Sequence, residues 1–146
     1  MLSKDFKEFI KLLNRHKVKY LVVGGYAVAF HGHPRYTKDL DIWIESSIEN
    51  AMNLMKALDE FGFGSLSGLS QEEFLVSDQI IQLGFPPNRI DLLTTAAGLD
   101  FGTCYLSKVT TAIDGLQIDF IDIENLKKNK RSIGRSQDLA DIENLS

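Results

Sequence analysis

The chain has 146 residues, of which 44% are hydrophobic and 25% are charged, proportions that are typical of a globular domain with one sizeable core. Its formal net charge of −4 argues against a broadly basic surface for nucleic acid, so a free-standing polymerase is disfavoured. The single cysteine, Cys104, excludes an internal disulfide, and no segment reaches transmembrane length. We therefore expect one domain over residues 1–146, cytoplasmic, with no signal peptide and no membrane contact.

The N-terminal segment predicts an amphipathic helix followed by a buried strand. Apolar side chains recur at helical spacing over residues 3–16, so this helix should cover one side of a sheet. The apolar run Tyr20–Val23 is typical of a buried strand, and it ends at Gly24 and Gly25 before a turn of helix. Glycines there let the backbone approach a ligand, and the first N–H groups of a helix favour phosphate oxygens. The alternative is that the glycine pair only makes a turn.

Two aspartates stand two positions apart in the next predicted strand, residues 39–44. Because side chains alternate along a strand, Asp39 and Asp41 should point to one side and the apolar residues between them into the core. Adjacent carboxylates repel each other unless a cation lies between them, and Mg²⁺ is the usual cation beside phosphates. The alternative is a polar strand end with two solvated aspartates.

A third acid, Asp91, lies in the short apolar run of residues 89–93, which predicts another strand. Three acids on neighbouring strands are able to hold two metal ions, and one acid lowers the cost of deprotonating a hydroxyl group. The alternative is an aspartate at the end of a strand that caps a turn. The residues alone leave both interpretations open.

The middle of the chain predicts a helix and two antiparallel strands. Ser46 or Ser47 would cap the helix, and Gly62 would end it. The strands are expected at Ile80–Leu83 and residues 89–93, which flank a turn-rich break.

The last third of the chain predicts a short helix, a hairpin and a helical end. The short helix is expected over residues 98–106, and Asp114-Gly115 is a good signal for a hairpin turn. The strands of the hairpin are expected at Val109–Ile113 and residues 116–121. Residues 122–146 should form two short helices broken at Gly134, as the C-terminal helical part of the same domain.

The glycine turn, the pair Asp39 and Asp41, and the lone Asp91 together resemble the nucleotidyltransferase superfamily of the DNA polymerase beta type, over residues 18–94. The similarity extends to small bacterial proteins with a Gly-Gly-x-Ala…His-Gly…Arg-x-Thr-x-Asp-Leu-Asp signature, a group that resembles abortive-infection toxin-type and lincosamide nucleotidyltransferases. The resemblance implies an α+β (α/β) nucleotidyltransferase fold, with a mixed central sheet flanked by helices. It also implies that Asp39, Asp41 and Asp91 are catalytic and bind Mg²⁺, or else Mn²⁺.

Five residues near the acid pair are candidates for nucleotide binding. The resemblance implies that Gly24 and Gly25 line the triphosphate. Many family members have serine in place of Gly25, so backbone N–H groups or the nearby Tyr26 would replace its hydroxyl. Arg35 and Lys38 precede the acid pair and suit the β- and γ-phosphates, with plain loop solubility as the alternative.

Two candidates come from the basic C-terminal segment. The resemblance favours Lys130 and Arg135 as contacts to nucleotide or acceptor, with Asp138 orienting Arg135. The alternative is a solvated basic face. His31 and His33 are expected to be packing or hydrogen-bonding residues, because their spacing is not that of a zinc site.

The function implied by the resemblance is transfer of a nucleoside monophosphate from an NTP to a hydroxyl group, with release of pyrophosphate. The sequence does not identify the acceptor. Three classes remain open: a small molecule such as an antibiotic, a protein, and an RNA. The alternative is a non-catalytic nucleotide-binding or toxin–antitoxin-type subunit that acts through a protein partner.

Overall fold

The computed structural model describes residues 2–32, 37–62, 68–84 and 89–145. Within these residues the chain forms the expected mixed sheet, with six strands flanked by helices. The strands are β1 (Tyr20–Val23), β2 (Leu40–Ile44), β3 (Ile80–Leu83), β4 (Ile90–Leu93), β5 (Val109–Ile113) and β6 (Leu116–Phe120). The α-helices are α1 (Lys4–Arg15), α2 (Gly24–Phe30), α3 (Ile48–Phe61), α4 (Phe101–Leu106), α5 (Ile123–Ile133) and α6 (Ser136–Leu145), with a 3₁₀ helix at Gln71–Leu75.

Helices α1 and α3 confirm two of the predicted helices, and α3 also confirms a predicted cap. The hydroxyl of Ser3 caps α1 by accepting a backbone N–H of the first turn at 3.2 Å. Ser47 caps α3 in the same way through the N–H of Asn50 at 3.2 Å, which selects Ser47 over Ser46. The helix ends at Gly62, whose φ of 101° suits glycine. The buried faces of α1 and α3 pack against each other.

The strands lie in the order β3-β4-β2-β1-β6-β5. β2 is antiparallel to β1 and parallel to β4, and β3 runs antiparallel beside β4 as predicted. The register puts Asp41 opposite Val23 on one side and opposite Asp91 on the other. Leu40 and Ile42, which alternate with the acids, are fully buried. The alternation predicted for this strand is therefore confirmed.

The second half of the chain adds the predicted hairpin to the sheet. Its turn holds Asp114 at φ 53° and Gly115 at φ 79°, and two positive φ values in succession are what a type I′ turn requires. β6 of this hairpin lies parallel beside β1. The short helix predicted over residues 98–106 is present as α4, but its predicted start at residue 98 is wrong, because α4 begins at Phe101. Asp100 caps α4 by accepting the N–H of Thr103 at 3.0 Å.

The C-terminal helices α5 and α6 are separated at Gly134, with φ 72°, as predicted. They pack against each other, and α5 also contacts α2. Leu126 and Leu145 lie in the same cluster of buried apolar side chains as the strands of the sheet. Among the described residues, no helix is both long and apolar enough to cross a bilayer.

Candidate active site

Three carboxylates lie at the edge of the sheet where β1 ends and β2 and β4 begin. Asp39 immediately precedes β2, Asp41 is the second residue of β2, and Asp91 is the second residue of β4. The side chain of Asp91 is only 10% exposed, whereas that of Asp39 is 31% exposed. The parallel pairing of β2 with β4 brings together acids that lie 50 residues apart in the chain.

The side chain of Arg89 binds two of these carboxylates. Its Nε donates to Asp91 Oδ1 at 3.0 Å, and one terminal nitrogen donates to Asp91 Oδ2 at 3.2 Å and to Asp39 Oδ2 at 2.8 Å. We call Asp39, Asp41, Asp91 and Arg89 the acid site. Arg89 was not among the residues predicted from the sequence. Strand alternation nevertheless offered a signal, since Arg89 and Asp91 stand two positions apart and share a face.

The acid site carries more negative than positive charge. Burial raises the pKa of Asp41 to about 7, with further contributions from the negative charges of Asp91 and Asp39, while Lys130 and Arg89 lower it. The two cations therefore offset only part of the repulsion. As arranged in the part of the chain that the structure describes, no three histidine, cysteine, aspartate or glutamate side chains could hold a metal ion. At the acid site the guanidinium of Arg89 donates to both Asp39 and Asp91.

The glycine turn lies against the acid site. Gly24 is the first residue of α2 and has a φ of +67°, which side chains rarely adopt. A Cβ atom at this position would collide with Asp41 Oδ2 and lie 2.9 Å from Asp41 Cγ. Gly25 follows as a buried residue. Only glycine therefore lets the backbone at the end of β1 approach this carboxylate.

A second charged cluster joins α5 to α6. The ammonium group of Lys130 lies 3.1 Å from Asp138 Oδ1 and 3.2 Å from Asp141 Oδ2, and all three side chains are buried. Arg135 donates from Nε to Asp138 Oδ2 at 2.7 Å, while its side chain remains 71% exposed. We call Lys130, Arg135, Asp138 and Asp141 the C-terminal ion cluster. Because Lys130 and Arg135 interact electrostatically with Asp41, this cluster lies near the acid site.

The hydrogen bonds of the C-terminal ion cluster hold Asp138 in its ionised form. Burial raises the pKa of this carboxyl, but hydrogen bonds from Arg135 and Lys130 outweigh burial and leave the pKa below its usual value. Asp138 thus holds Arg135 in place, whereas the charge of Lys130 is already engaged by two carboxylates. Contact of Lys130 or Arg135 with a nucleotide stays a prediction.

The other candidate residues take different places. Tyr26 packs edge-on against Phe6 of α1, with ring centroids 5.7 Å apart. Lys38 is exposed one position before Asp39. Arg35 and His33 lie outside the described residues.

His31 connects the end of α2 to the sheet. Its Nε2 lies 2.7 Å from the carbonyl oxygen of Ile121, and its ring packs against Phe30. This hydrogen-bonding role agrees with the expectation for His31.

The mixed sheet, with its acid pair and a third acid on the adjacent strand, is the fold of nucleotidyltransferases, and solved structures of that class match it. A Thermotoga maritima protein provisionally assigned as a nucleotidyltransferase matches with a TM-score of 0.62 and 16% identity, over 94% of this chain and 88% of that chain. The lincosamide antibiotic adenylyltransferase LnuA, with lincomycin bound, matches with a TM-score of 0.57 and 15% identity, over 99% and 96%. An antigenic nucleotidyltransferase-like protein from Paracoccidioides brasiliensis matches with a TM-score of 0.54 and 20% identity, over 99% and 77%.

The sequence itself places the chain in a family. The model of the aminoglycoside-2''-adenylyltransferase family matches residues 5–145, so the chain belongs to this family. A comparison with curated proteins finds no match. The resemblance to the nucleotidyltransferase superfamily and the predicted fold are both confirmed, and family and fold together indicate an enzyme of nucleotide transfer.

Proposed function

We propose that this protein is a metal-dependent nucleotidyltransferase, which moves a nucleoside monophosphate from an NTP to a hydroxyl group of an acceptor and releases pyrophosphate. The observation that carries the proposal is the pairing of Asp41 with Asp91 across β2 and β4, with the glycine turn against Asp41. Membership of an adenylyltransferase family supports it and makes ATP the first nucleotide to test.

The carboxylates suit a divalent cation by their chemistry. Asp39, Asp41 and Asp91 offer hard oxygen donors, which Mg²⁺ prefers at sites that also bind phosphate. The raised pKa of Asp41, about 7, reflects burial beside two other negative charges, and a dication would offset that charge. Bound Mg²⁺ or Mn²⁺ would neutralise the triphosphate and polarise the reacting oxygens. We assign Asp39 and Asp41 as its main ligands, with Asp91 as the third.

In the proposed reaction, the hydroxyl oxygen of the acceptor forms a bond to the α-phosphorus of the NTP. The bond between the α-phosphorus and the oxygen that bridges to the β-phosphate breaks, and pyrophosphate leaves with that electron pair. Asp91 takes the hydroxyl proton on a carboxylate oxygen and passes it to solvent. Its position on the ladder, directly opposite Asp41, suits this role because the sheet fixes the spacing between the two acids.

The phosphates are proposed to lie between the glycine turn and the C-terminal ion cluster. Gly24 and Gly25 would offer backbone N–H groups. Arg135 would offer an exposed guanidinium that Asp138 already holds in place. Lys130 would attract the phosphates through its charge. Lys38, two positions before β2, would bind them with its ammonium group.

A small molecule with hydroxyl groups is the acceptor class we favour. The family is named for adenylyl transfer to an aminoglycoside, and LnuA, which shares the fold, is an adenylyltransferase of lincosamide antibiotics. Protein side chains and RNA ends are the other acceptors to be tested.

The test is transfer of label from each α-³²P-labelled NTP, with Mg²⁺ or Mn²⁺, to aminoglycosides, lincosamides and the protein and RNA fractions of a cell extract. We expect Asp41→Asn to lower transfer by roughly a hundredfold to a thousandfold, because a metal ligand contributes several kcal/mol at the transition state. Asp5→Asn makes the same chemical change at an exposed position of α1 and should retain full activity.

Two outcomes would overturn this proposal. Transfer that survives Asp41→Asn unchanged would remove the acid site from the reaction. Nucleotide binding without transfer to any acceptor would instead favour the non-catalytic, partner-binding alternative.

A further inference from the structure

Arg89 has no part in the proposed reaction, yet its guanidinium contacts two of the three carboxylates of the acid site. It donates three hydrogen bonds to Asp39 and Asp91, at 2.8, 3.0 and 3.2 Å. Its side chain is 28% exposed, so water reaches this part of the site only in part. A guanidinium is a donor only, and here all the contacted atoms are carboxylate oxygens.

The backbone of Arg89 is fixed, whereas its side chain is able to turn. The N–H of Leu40 donates to the carbonyl oxygen of Arg89 at 3.1 Å, which ties the residue to the first position of β2. Beyond that point the side chain has a long flexible stem. The guanidinium can therefore leave the carboxylates without any change in the ladder between β2 and β4.

A divalent cation held by these acids would use carboxylate oxygens that Arg89 already contacts. Both oxygens of Asp91 and Oδ2 of Asp39 accept hydrogen bonds from the guanidinium. Like-charge repulsion disfavours a dication beside a guanidinium, at only a few ångströms' separation. Arg89 would thus compete with a metal ion that Asp39 and Asp91 hold.

We propose that Arg89 is an internal counter-ion of the acid site, which holds Asp39 and Asp91 together before metal binds and is displaced by the metal toward the phosphates of the NTP. The inference rests on the proposed function, since it takes the acid site as the metal site. The displaced guanidinium suits phosphate because its planar fork makes bidentate hydrogen bonds with phosphate oxygens. Metal binding would thereby convert a cation that masks the acids into one that binds the nucleotide.

The test measures metal and nucleotide binding separately in Arg89→Met. Mn²⁺ binding to the nucleotide-free protein is followed by electron paramagnetic resonance, and ATP binding is followed by calorimetry at saturating Mn²⁺. We expect Mn²⁺ to bind roughly tenfold more tightly, because the competing cation is gone, and ATP to bind roughly tenfold more weakly, because a phosphate ligand is gone. A purely structural role would not move the two affinities in opposite directions.

Two further variants control for folding and for charge. Arg89→Lys keeps the positive charge but loses the fork, so both affinities should lie between those of wild type and Arg89→Met. Arg15→Met removes another arginine that is paired with a carboxylate, Glu60 at 2.9 Å, and should change neither affinity. If Arg89→Met does not fold, Arg89→Lys alone decides the direction of both shifts.

The outcomes separate this inference from the proposed function. Equal Mn²⁺ affinity in wild type and Arg89→Met, or weaker binding in the variant, overturns the counter-ion role and leaves the proposed function standing. Mn²⁺ binding that persists in the double variant Asp39→Asn/Asp41→Asn contradicts the proposed function itself.

Discussion

The acid site and the C-terminal ion cluster contain the same kinds of side chain but differ in balance and exposure. In the C-terminal ion cluster two carboxylates meet two cations, and hydrogen bonds keep the pKa of Asp138 below its usual value despite burial. In the acid site three carboxylates meet one guanidinium, and burial and neighbouring negative charge raise the pKa of Asp41 to about 7. A largely buried cluster whose opposite charges balance holds the helices together, whereas a partly exposed cluster with excess negative charge attracts a further cation.

The largest expected effect on stability comes from removing the central cation of the C-terminal ion cluster. Lys130→Met leaves the buried carboxylates of Asp138 and Asp141 without their shared ammonium, and loss of one partner of a buried ion pair costs about 3–5 kcal/mol. The measurement is the free energy of unfolding in urea. Lys128→Met, at an exposed position of the same helix, is the control and should change stability little. Equal stabilities of the two variants would show that the cluster does not fix α5 to α6.

The contact between the glycine turn and the acid site can be isolated with two alanine variants. Gly24 and Gly68 have similar φ values, +67° and +73°. A Cβ atom at Gly24 would collide with Asp41, whereas a Cβ atom at Gly68 would meet nothing within 4 Å among the described residues outside its chain neighbours. Both variants bear the cost of a left-handed alanine, about 1 kcal/mol. Gly24→Ala should lose about 1–3 kcal/mol more, because of overpacking. If urea unfolding shows that both variants lose the same free energy of unfolding, Asp41 moves away from the new Cβ atom at no cost in stability.

The excess negative charge of the acid site predicts that the contribution of Asp41 to stability falls as pH rises. The pKa of Asp41 is about 7 in the folded protein, above its ordinary value of 3.8. Between these values Asp41 of the folded protein keeps a proton that the unfolded chain has released, so the contribution of Asp41 to the free energy of unfolding falls from about pH 4 to about pH 7 and then levels off. Asp41→Asn lacks this titration. With chelator present, the variant should exceed wild type by about 2 kcal/mol near pH 8, after allowance for partial exposure, and by little near pH 4.

Urea unfolding of both proteins across this pH range checks the prediction. Parallel stability curves for wild type and Asp41→Asn would show that Asp41 titrates normally, and the acid site would then lack its unbalanced charge.

The smallest expected effect on stability is at the exposed member of the C-terminal ion cluster. Arg135 is 71% exposed and Asp138 retains Lys130, so Arg135→Gln should cost less than about 1 kcal/mol. If Arg135 binds phosphate as proposed, the Kd for ATP measured by calorimetry should nevertheless rise by roughly threefold to tenfold. An unchanged Kd would leave Arg135 with a structural role only.

The sequence predicted those parts of the molecule whose signals are local. The cap at Ser47, the end of α3 at Gly62 and the turn at Asp114-Gly115 each depend on residues a few positions apart. Strand alternation likewise predicted that the neighbours of Asp41 are buried. The misplaced start of α4 has a local cause too, since the cap at Asp100 was overlooked.

The parts that were not predicted depend on contacts between distant segments. Arg89 reaches Asp39 only because β4 lies next to β2, and strand order cannot be obtained from periodicity. The burial of Lys130 likewise requires α6 to fold back and supply Asp138 and Asp141. A basic residue in a polar helix gives no local sign that its charge is buried and neutralised.

The strand pairing that places Asp41 opposite both Val23 and Asp91 is also protected against a shift in register. A shift of β2 by one residue would turn Asp41 toward the core and expose Leu40 and Ile42, which are now fully buried. The apolar core therefore disfavours any one-residue shift that would turn the acids toward it. A chain that folds stably has, by the same selection, already assembled its carboxylates.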